Sequence, residues 1–253
     1  MAGLTLSDAQ LERYARHIVL REIGGGGQMR LLAAHVAVVG AGGIGSPALQ
    51  YLAAAGIGRL TVIDDDRVDS SNLQRQTLFG TADIGRAKVV AAADRIAALN
   101  PDVTVVPIAR RIEAANADTL LEGADVILDG CDNFDTRLAV SDASNALRIP
   151  LVSSAIGQFE GQLAVFRGWM PDRPCYRCFV GDAPGRDEAS CAEQGVLGAM
   201  TGVMGSLAAL ETIRAIVPFG EDMAGKMVLA DALSLRFRTL ALPKDPACRC
   251  RGS

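Results

Sequence analysis

The chain has only two histidines, His17 and His35, no excess of positive charge, and no uninterrupted apolar run of membrane-spanning length. Each absence removes a class of function. Lys and Arg together number 25 against 29 Asp and Glu, a formal net charge of −4. That balance lacks the basic stripe of a nucleic-acid binder. Two histidines leave no evident proton relay. The first residues carry neither a charged region nor an apolar core, so no export signal is read. The most apolar stretch, residues 195–210, is rich in Gly and Ala and runs into Glu211 and Arg214. It falls short of the ~20 apolar residues a membrane helix needs and is read as a buried core helix. The expectation is a cytoplasmic chain without membrane or nucleic-acid partners. Internal repeats and low-complexity linkers are also missing, so residues 1–253 are read as one domain. With no export signal, the six cysteines point to metal binding or thiol chemistry rather than disulfides.

What is present centres on Val36-Ala37-Val38-Val39-Gly40-Ala41-Gly42-Gly43-Ile44-Gly45. An apolar run rich in valine reads as a buried strand. The turn Gly40-x-Gly42-x-x-Gly45 follows it directly, and an Ala-rich helix over 47–55 comes next. Strand, glycine turn and helix in that order form a nucleotide-binding context. Glycines allow a tight turn and close approach of phosphate, and the helix N-terminus offers free N–H groups and a positive dipole end. A second strand over 60–63 closes on Asp64, 24 residues beyond Gly40. This is near the spacing at which an acid meets a ribose hydroxyl.

The rest of the chain alternates in the same way. A helix opens at Gly85-Arg86-Ala87-Lys88 and stops at Asn100-Pro101. Strands are expected over 103–108, 125–129 and 150–154, and helices over 116–121 and 134–147. Period-2 character over 157–167 and strands over 227–230 and 235–242 suggest antiparallel additions. Before the nucleotide strand, Ser7 caps a helix expected to run to Leu20 and to end at residues 24–27, four glycines in a row. The fold class is α/β: a Rossmann-like, doubly wound, mostly parallel sheet with an N-terminal helical extension and C-terminal antiparallel strands. Asp132, in the polar turn after the strand over 125–129, sits at the ligand edge of such a sheet. It either caps the next helix or holds a metal, and one role does not exclude the other.

The pattern resembles the MoeB/ThiF/HesA family, relatives of the catalytic core of ubiquitin-activating enzymes, and is nearest to its MoeB-type members. The resemblance rests on Arg13-Tyr14-Ala15-Arg16, the glycine turn, Ser71-Asn72-Leu73-Gln74-Arg75-Gln76, Gly85-Arg86-Ala87-Lys88, Cys131-Asp132-Asn133 and Cys175-Tyr176-Arg177-Cys178. It implies ATP-dependent adenylation of the C-terminal Gly-Gly carboxylate of a ubiquitin-like sulfur carrier protein, with release of pyrophosphate. By the same resemblance Gly40, Gly42, Gly43 and Gly45 wall the nucleotide and Asp64 holds the ribose. Asn72, Arg75 and Lys88 meet the phosphates, Asp132 takes Mg²⁺, and Arg16 reaches the ATP of a partner subunit in a homodimer. The chemistry fits these residues. A carboxylate approaching a triphosphate needs fixed positive charge to screen the meeting of two anions. Residue by residue, the plain alternative for Arg16, Arg75 and Lys88 is a solvated surface cation.

CxxC is a metal-ligand spacing, and two such pairs make a structural zinc site. Cys175 and Cys178 match the family's first pair. The second is Cys248-Arg249-Cys250, one residue short of the family pattern. Zinc on Cys175, Cys178, Cys248 and Cys250 is the expectation. Cys191 is either an inert core residue or a thiol able to link covalently to the carrier, as a cysteine of this region does in some relatives. Cys131 reads as a packed apolar residue. A MoaD-like carrier implies molybdopterin synthesis and a ThiS-like one thiamine synthesis. With no sulfur-donating domain after Ser253, a separate sulfurtransferase or cysteine desulfurase is expected to supply sulfur. Two rival functions share parts of this pattern. A NAD-dependent Rossmann oxidoreductase accounts for the glycine turn and Asp64 but leaves Arg75, Lys88, Asp132 and the cysteine pairs without a role. A non-catalytic module docking a ubiquitin-like protein has no need of those charges.

Overall fold

Aliphatic runs form the strands, and segments with apolar residues at helical spacing form the connections between them. The computed structural model describes residues 5–182 and 195–250. Strands β1 (His35–Val39), β2 (Arg59–Ile63), β3 (Thr104–Ile108), β4 (Val126–Asp129) and β5 (Leu151–Ile156) run parallel. Strands β6 (Glu160–Phe166), β7 (Lys226–Asp231) and β8 (Arg236–Ala241) continue the sheet antiparallel. The order is β3-β2-β1-β4-β5-β6-β7-β8. The chain leaves β1 toward β2 on one side and returns to β4 on the other. The carboxyl ends of β1 and β4 therefore border the crevice where ligands of open α/β sheets bind.

The helices are α1 (Asp8–Arg13), α2 (Ala15–Ile18), α3 (Gly24–Ala33), α4 (Gly45–Ala55), α5 (Lys88–Leu99), α6 (Ala117–Leu121), α7 (Phe134–Leu147), α8 (Tyr176–Val180) and α9 (Gly198–Ile216). Strand alternation assigns them to two faces. Val36 and Val38 join Leu49, Leu52, Ile96 and Met204 in one buried cluster. Ala37 and Val39 join Leu121, Val140, Phe166 and Tyr176 in the other. The doubly wound expectation is met, with the antiparallel strands where period-2 character placed them. The apolar stretch expected as a core helix is α9, and no helix among the described residues is long and apolar enough to cross a membrane.

Three local expectations change. Ser7 caps α1 with a capping box to Gln10, but the helix breaks at Tyr14 instead of running to Leu20. The buried Tyr14 hydroxyl accepts from Asn100 Nδ2 at 2.9 Å, and its ring lies where a Cβ on Gly56 would stand. Packing of this side chain overrides helix continuity. The glycine run at 24–27 does not terminate a helix but opens α3. The prolines flanking Cys175-Tyr176-Arg177-Cys178 make a loop the expectation from sequence, but Cys175 precedes α8 and Cys178 lies within it.

Candidate active site

The glycine turn is shaped by what its neighbours leave no room for. Gly40 has φ +88°, a region L side chains rarely enter, and a Cβ there would lie 3.2 Å from the Gly130 carbonyl and the Cys131 nitrogen. A Cβ on Gly45 would lie 1.9 Å from the Gly40 carbonyl oxygen. Gly45 thus lets α4 start tight against the turn and sits behind the wall. Gly40, Gly42 and Gly43 themselves line a cleft of about 300 Å³. Gly43 backs onto Thr201 of α9, whereas a Cβ on Gly42 would meet only Gln76 Nε2, at 3.8 Å.

Asp64, Asn72, Arg75, Lys88 and Asp132 line the same cleft. One Asp64 carboxylate oxygen accepts the Ala41 N–H at 2.7 Å, and the other accepts the Asp66 N–H at 2.8 Å. Burial pushes its pKa above the ordinary carboxylate value, against the pull of Lys88 and these backbone donors. The first residue of α5 is Lys88, whose side chain is only 5% exposed and donates to Asp66 Oδ2 at 2.8 Å. Arg75 is aimed by neutral groups. Its guanidinium donates to the Ser71 carbonyl at 3.1 Å and to Asn72 Oδ1 at 3.0 Å. Asn72 Oδ1 also accepts from Gln76 at 3.0 Å, so Asn72 ties the arginine and the glutamine together.

The turn after β4 is built from below. Asp129 Oδ1 accepts the Cys131 N–H at 3.0 Å. Asn133, not Asp132, caps α7 by accepting the Thr136 N–H at 2.8 Å. Asp132 is thereby left exposed on the cleft with its carboxylate free of capping duty. Burial raises the Cys131 thiol well above its ordinary pKa, in keeping with a packed apolar role. Beneath the turn lies Arg137, which sequence reasoning missed. Its guanidinium pairs with Asp129 Oδ2 at 3.2 Å and donates to Ser153 Oγ at 3.0 Å, the Ser154 carbonyl at 2.9 Å and the Cys131 carbonyl. A cation at the inward position of α7, in register with Val140 and Ser144, is the signal that could have found it. Arg110 and Arg111 also reach the cleft unforeseen, Arg111 through Asp65 at 3.1 Å.

Arg16, expected to reach the nucleotide of a partner subunit, is exposed on α2 and does not line the cleft of its own chain. Cys191 lies outside the described residues.

The cysteines converge apart from the glycine turn. Cys175 Sγ is 3.7 Å from Cys178 Sγ and 3.7 Å from Cys248 Sγ. All three sulfurs lie within 4.8 Å of one another. Tetrahedral zinc with Zn–S bonds of about 2.3 Å separates its sulfurs by about 3.8 Å, so this trio fits the ion. Cys250 sits beside Cys175 and Cys248 but outside the tight trio. Both knuckles are braced by one acid. Asp182 accepts from Arg177 at 3.2 Å and from Arg249 at 2.6 Å.

A family model described as ThiF family matches residues 14–251. The sulfur carrier protein adenylyltransferase of Thermus thermophilus is 46% identical over 245 residues, covering 94% of this chain and 90% of that protein. The molybdopterin-synthase adenylyltransferase of Salmonella typhimurium is 40% identical over 247 residues, covering 98% of each. The crystal structure of E. coli MccB superposes with a TM-score of 0.83 at 22% identity, over 98% of this chain and 74% of that one, a likeness of fold. By the match along nearly its whole length, this chain belongs to the ThiF family.

Proposed function

We propose that this protein is an adenylyltransferase that uses ATP to activate the C-terminal carboxylate of a ubiquitin-like sulfur carrier ending in Gly-Gly. One observation carries the reading: the glycine wall, Asp64, Arg75, Lys88 and Asp132 line a single cleft. Relatives named as adenylyltransferases of sulfur carrier protein and molybdopterin synthase support it.

The chemistry follows from the arrangement. The triphosphate lies along the glycine wall with its ribose at Asp64. A carboxylate oxygen of the carrier attacks the α-phosphorus and forms a new P–O bond. The bond from that phosphorus to the bridging oxygen breaks, and its electron pair leaves with pyrophosphate. The product is an acyl-adenylate. Arg75 and Lys88 hold positive charge against the oxygens where negative charge grows. Both are fixed beforehand, by Asn72 and Asp66, so little reorganisation is needed at the moment of reaction. Asp132 would supply the hard oxygen ligand that Mg²⁺ takes, and a bound ion would add further screening of the phosphates. Zinc on Cys175, Cys178 and Cys248, with Cys250 as fourth thiolate, is a structural element of the fold. A separate sulfurtransferase or cysteine desulfurase then supplies sulfur to the activated carrier.

Arg16 enters this scheme through a second copy of the chain. Tyr51, Val203 and Leu210 expose apolar surface on α4 and α9, along a depression that reaches His17 next to Arg16. That surface supports a homodimer in which Arg16 serves the partner's nucleotide.

ATP–pyrophosphate exchange with carriers ending in Gly-Gly, in the presence of Mg²⁺, tests the function. Exchange that needs the terminal glycines is the expected result. No exchange with any such carrier rejects the reading. A nicotinamide oxidoreductase is disfavoured because its hydride chemistry has no use for the Arg75, Lys88 and Asp132 set.

A further inference from the structure

Tyr176 stands between two cysteines of the thiolate cluster, and its ring also lines the nucleotide cleft. It is 4% exposed. The ring meets Phe166 of β6 edge to face, with centroids 5.7 Å apart. Its side chain and that of Arg137 border one small void, with the hydroxyl in the field of the guanidinium. Arg137 in turn donates to the carbonyl of Cys131, the residue before Asp132, and pairs with Asp129 at the end of β4. The void left between Arg137, Tyr176 and Phe179 is only about 10 Å³. Packing this close transmits a displacement instead of absorbing it.

Helix α8, which carries Tyr176, is held from two sides. On the solvent side Arg177 grips Asp142 of α7 with two hydrogen bonds, of 2.8 and 2.7 Å. On the other side the tail meets it where the sulfurs of Cys175 and Cys178 gather around that of Cys248, 73 and 70 residues on, and through the exposed Asp182 that Arg177 and Arg249 share. Thiols in contact make a weak link, and a metal ion binding them makes a strong one.

We propose that Tyr176 and Arg137 are positioning residues that couple the thiolate cluster to the Asp132 turn, so that zinc at the cysteines sets how firmly the turn presents Asp132 to the metal–phosphate of ATP. The proposal rests on the adenylation reading only for its last link, the effect on ATP. A metal on the cysteines fixes the tilt of α8. The tilt seats Tyr176 against Arg137, and Arg137 holds the turn by its carbonyl. Neither residue touches the reacting atoms in this scheme.

Hydrogen–deuterium exchange over residues 129–136 reads the coupling without any reaction. It is compared in the zinc-loaded protein, in protein stripped by a chelator, and in Tyr176→Phe with and without zinc, with zinc content measured in each. The expected result is faster exchange of the turn on stripping the unaltered protein. In Tyr176→Phe the turn already exchanges faster at full zinc content, and stripping adds little. Unchanged exchange at the turn on stripping overturns the proposal, and so do effects that simply add. Stripping that accelerates exchange throughout β1 and α4 also overturns it, because zinc is then a general staple of the fold. As a second measurement, zinc-loaded Tyr176→Phe should bind Mg·ATP roughly fivefold to tenfold more weakly by calorimetry, the low end of ordinary coupling strengths. Full affinity in that variant rejects the link to ATP. If the unaltered protein fails to bind Mg·ATP, the adenylation reading falls, and the exchange experiment still decides the coupling.

Discussion

Asp64 reaches back across the crevice to take the Ala41 N–H at 2.7 Å, so the carboxylate that ends β2 also clamps the glycine turn that ends β1. Burial raises its pKa above the ordinary value. The sign of the linkage follows. Stability from this group is fully present below the unfolded-state pKa and is lost as pH rises through the folded pKa. At neutral pH the charged carboxylate is therefore kept at a cost to folding. Asp64→Asn should hold or raise the melting temperature at neutral pH while weakening ATP binding roughly tenfold, the scale of one charge-assisted hydrogen bond. ATP binding to the unaltered protein should fade on acidification at a higher pH than an ordinary aspartate would produce, and Asp64→Asn should lose that limb. Calorimetric titrations from about pH 4 to pH 8 bracket the carboxylate range and check both.

Arg75→Ala and Asp132→Ala should each lower ATP–pyrophosphate exchange at least ~100-fold, the usual cost of removing one preorganised charge-stabilising group. Arg75 is half-buried and Asp132 exposed, so circular dichroism and the melting temperature should stay close to those of the parent. Unaltered exchange in both variants refutes the site.

Lys88 and Asp66 are unequal partners: the lysine side chain is 5% exposed and the aspartate 62%. Removing the aspartate leaves a buried ammonium without its acceptor. Asp66→Ala should therefore destabilise by about 1–3 kcal/mol, whereas Lys88→Met should leave stability nearly unchanged and abolish exchange. Denaturant melts beside exchange assays separate the two.

The purified protein should carry about one zinc per chain. Cys248→Ser should remove most of it, because Cys248 belongs to the tight sulfur trio. Cys250→Ser should retain more, because its sulfur lies outside that trio. Metal analysis after dialysis checks the order, and equal loss in both variants contradicts it.

Gly45→Ala should unfold the turn, since the new methyl would lie 1.9 Å from the Gly40 carbonyl oxygen. Gly42→Ala meets nothing closer than 3.8 Å and should fold normally, with its effect confined to ATP affinity. Thermal melts and ATP titrations of the pair distinguish wall from backing.

The parallel half of the sheet was legible because each strand is a short apolar run followed by a helical pattern, signals contained within a few residues. The residues of the cleft were legible because motifs place them at strand ends. What stayed hidden depends on partners far along the chain. Tyr14 breaks the first helix to meet Asn100, 86 residues on. Asn133 takes the cap that Asp132 had equal claim to by composition, and only backbone geometry decides between them. Arg137 stayed out of sight because its partners, Asp129 and Ser153, lie on two separate strands. The helix at Tyr176 was obscured by the prolines and cysteines around it.

The wall behind the glycine turn also has a history. Gly40 packs on Gly130 and Cys131, some 90 residues later in the chain, because β4 slots in beside β1 only after β2 and β3 have been laid down on its other side. Parallel pairings of such separation form late and slowly. At ribosomal speeds of about 5–20 residues per second, the turn waits on the order of ten seconds for its backing. The sulfur contact between Cys175 and Cys248 adds a further wait. A nascent chain therefore holds the first glycine strand in place well before it can hold a nucleotide, and competence to bind arrives in one late step.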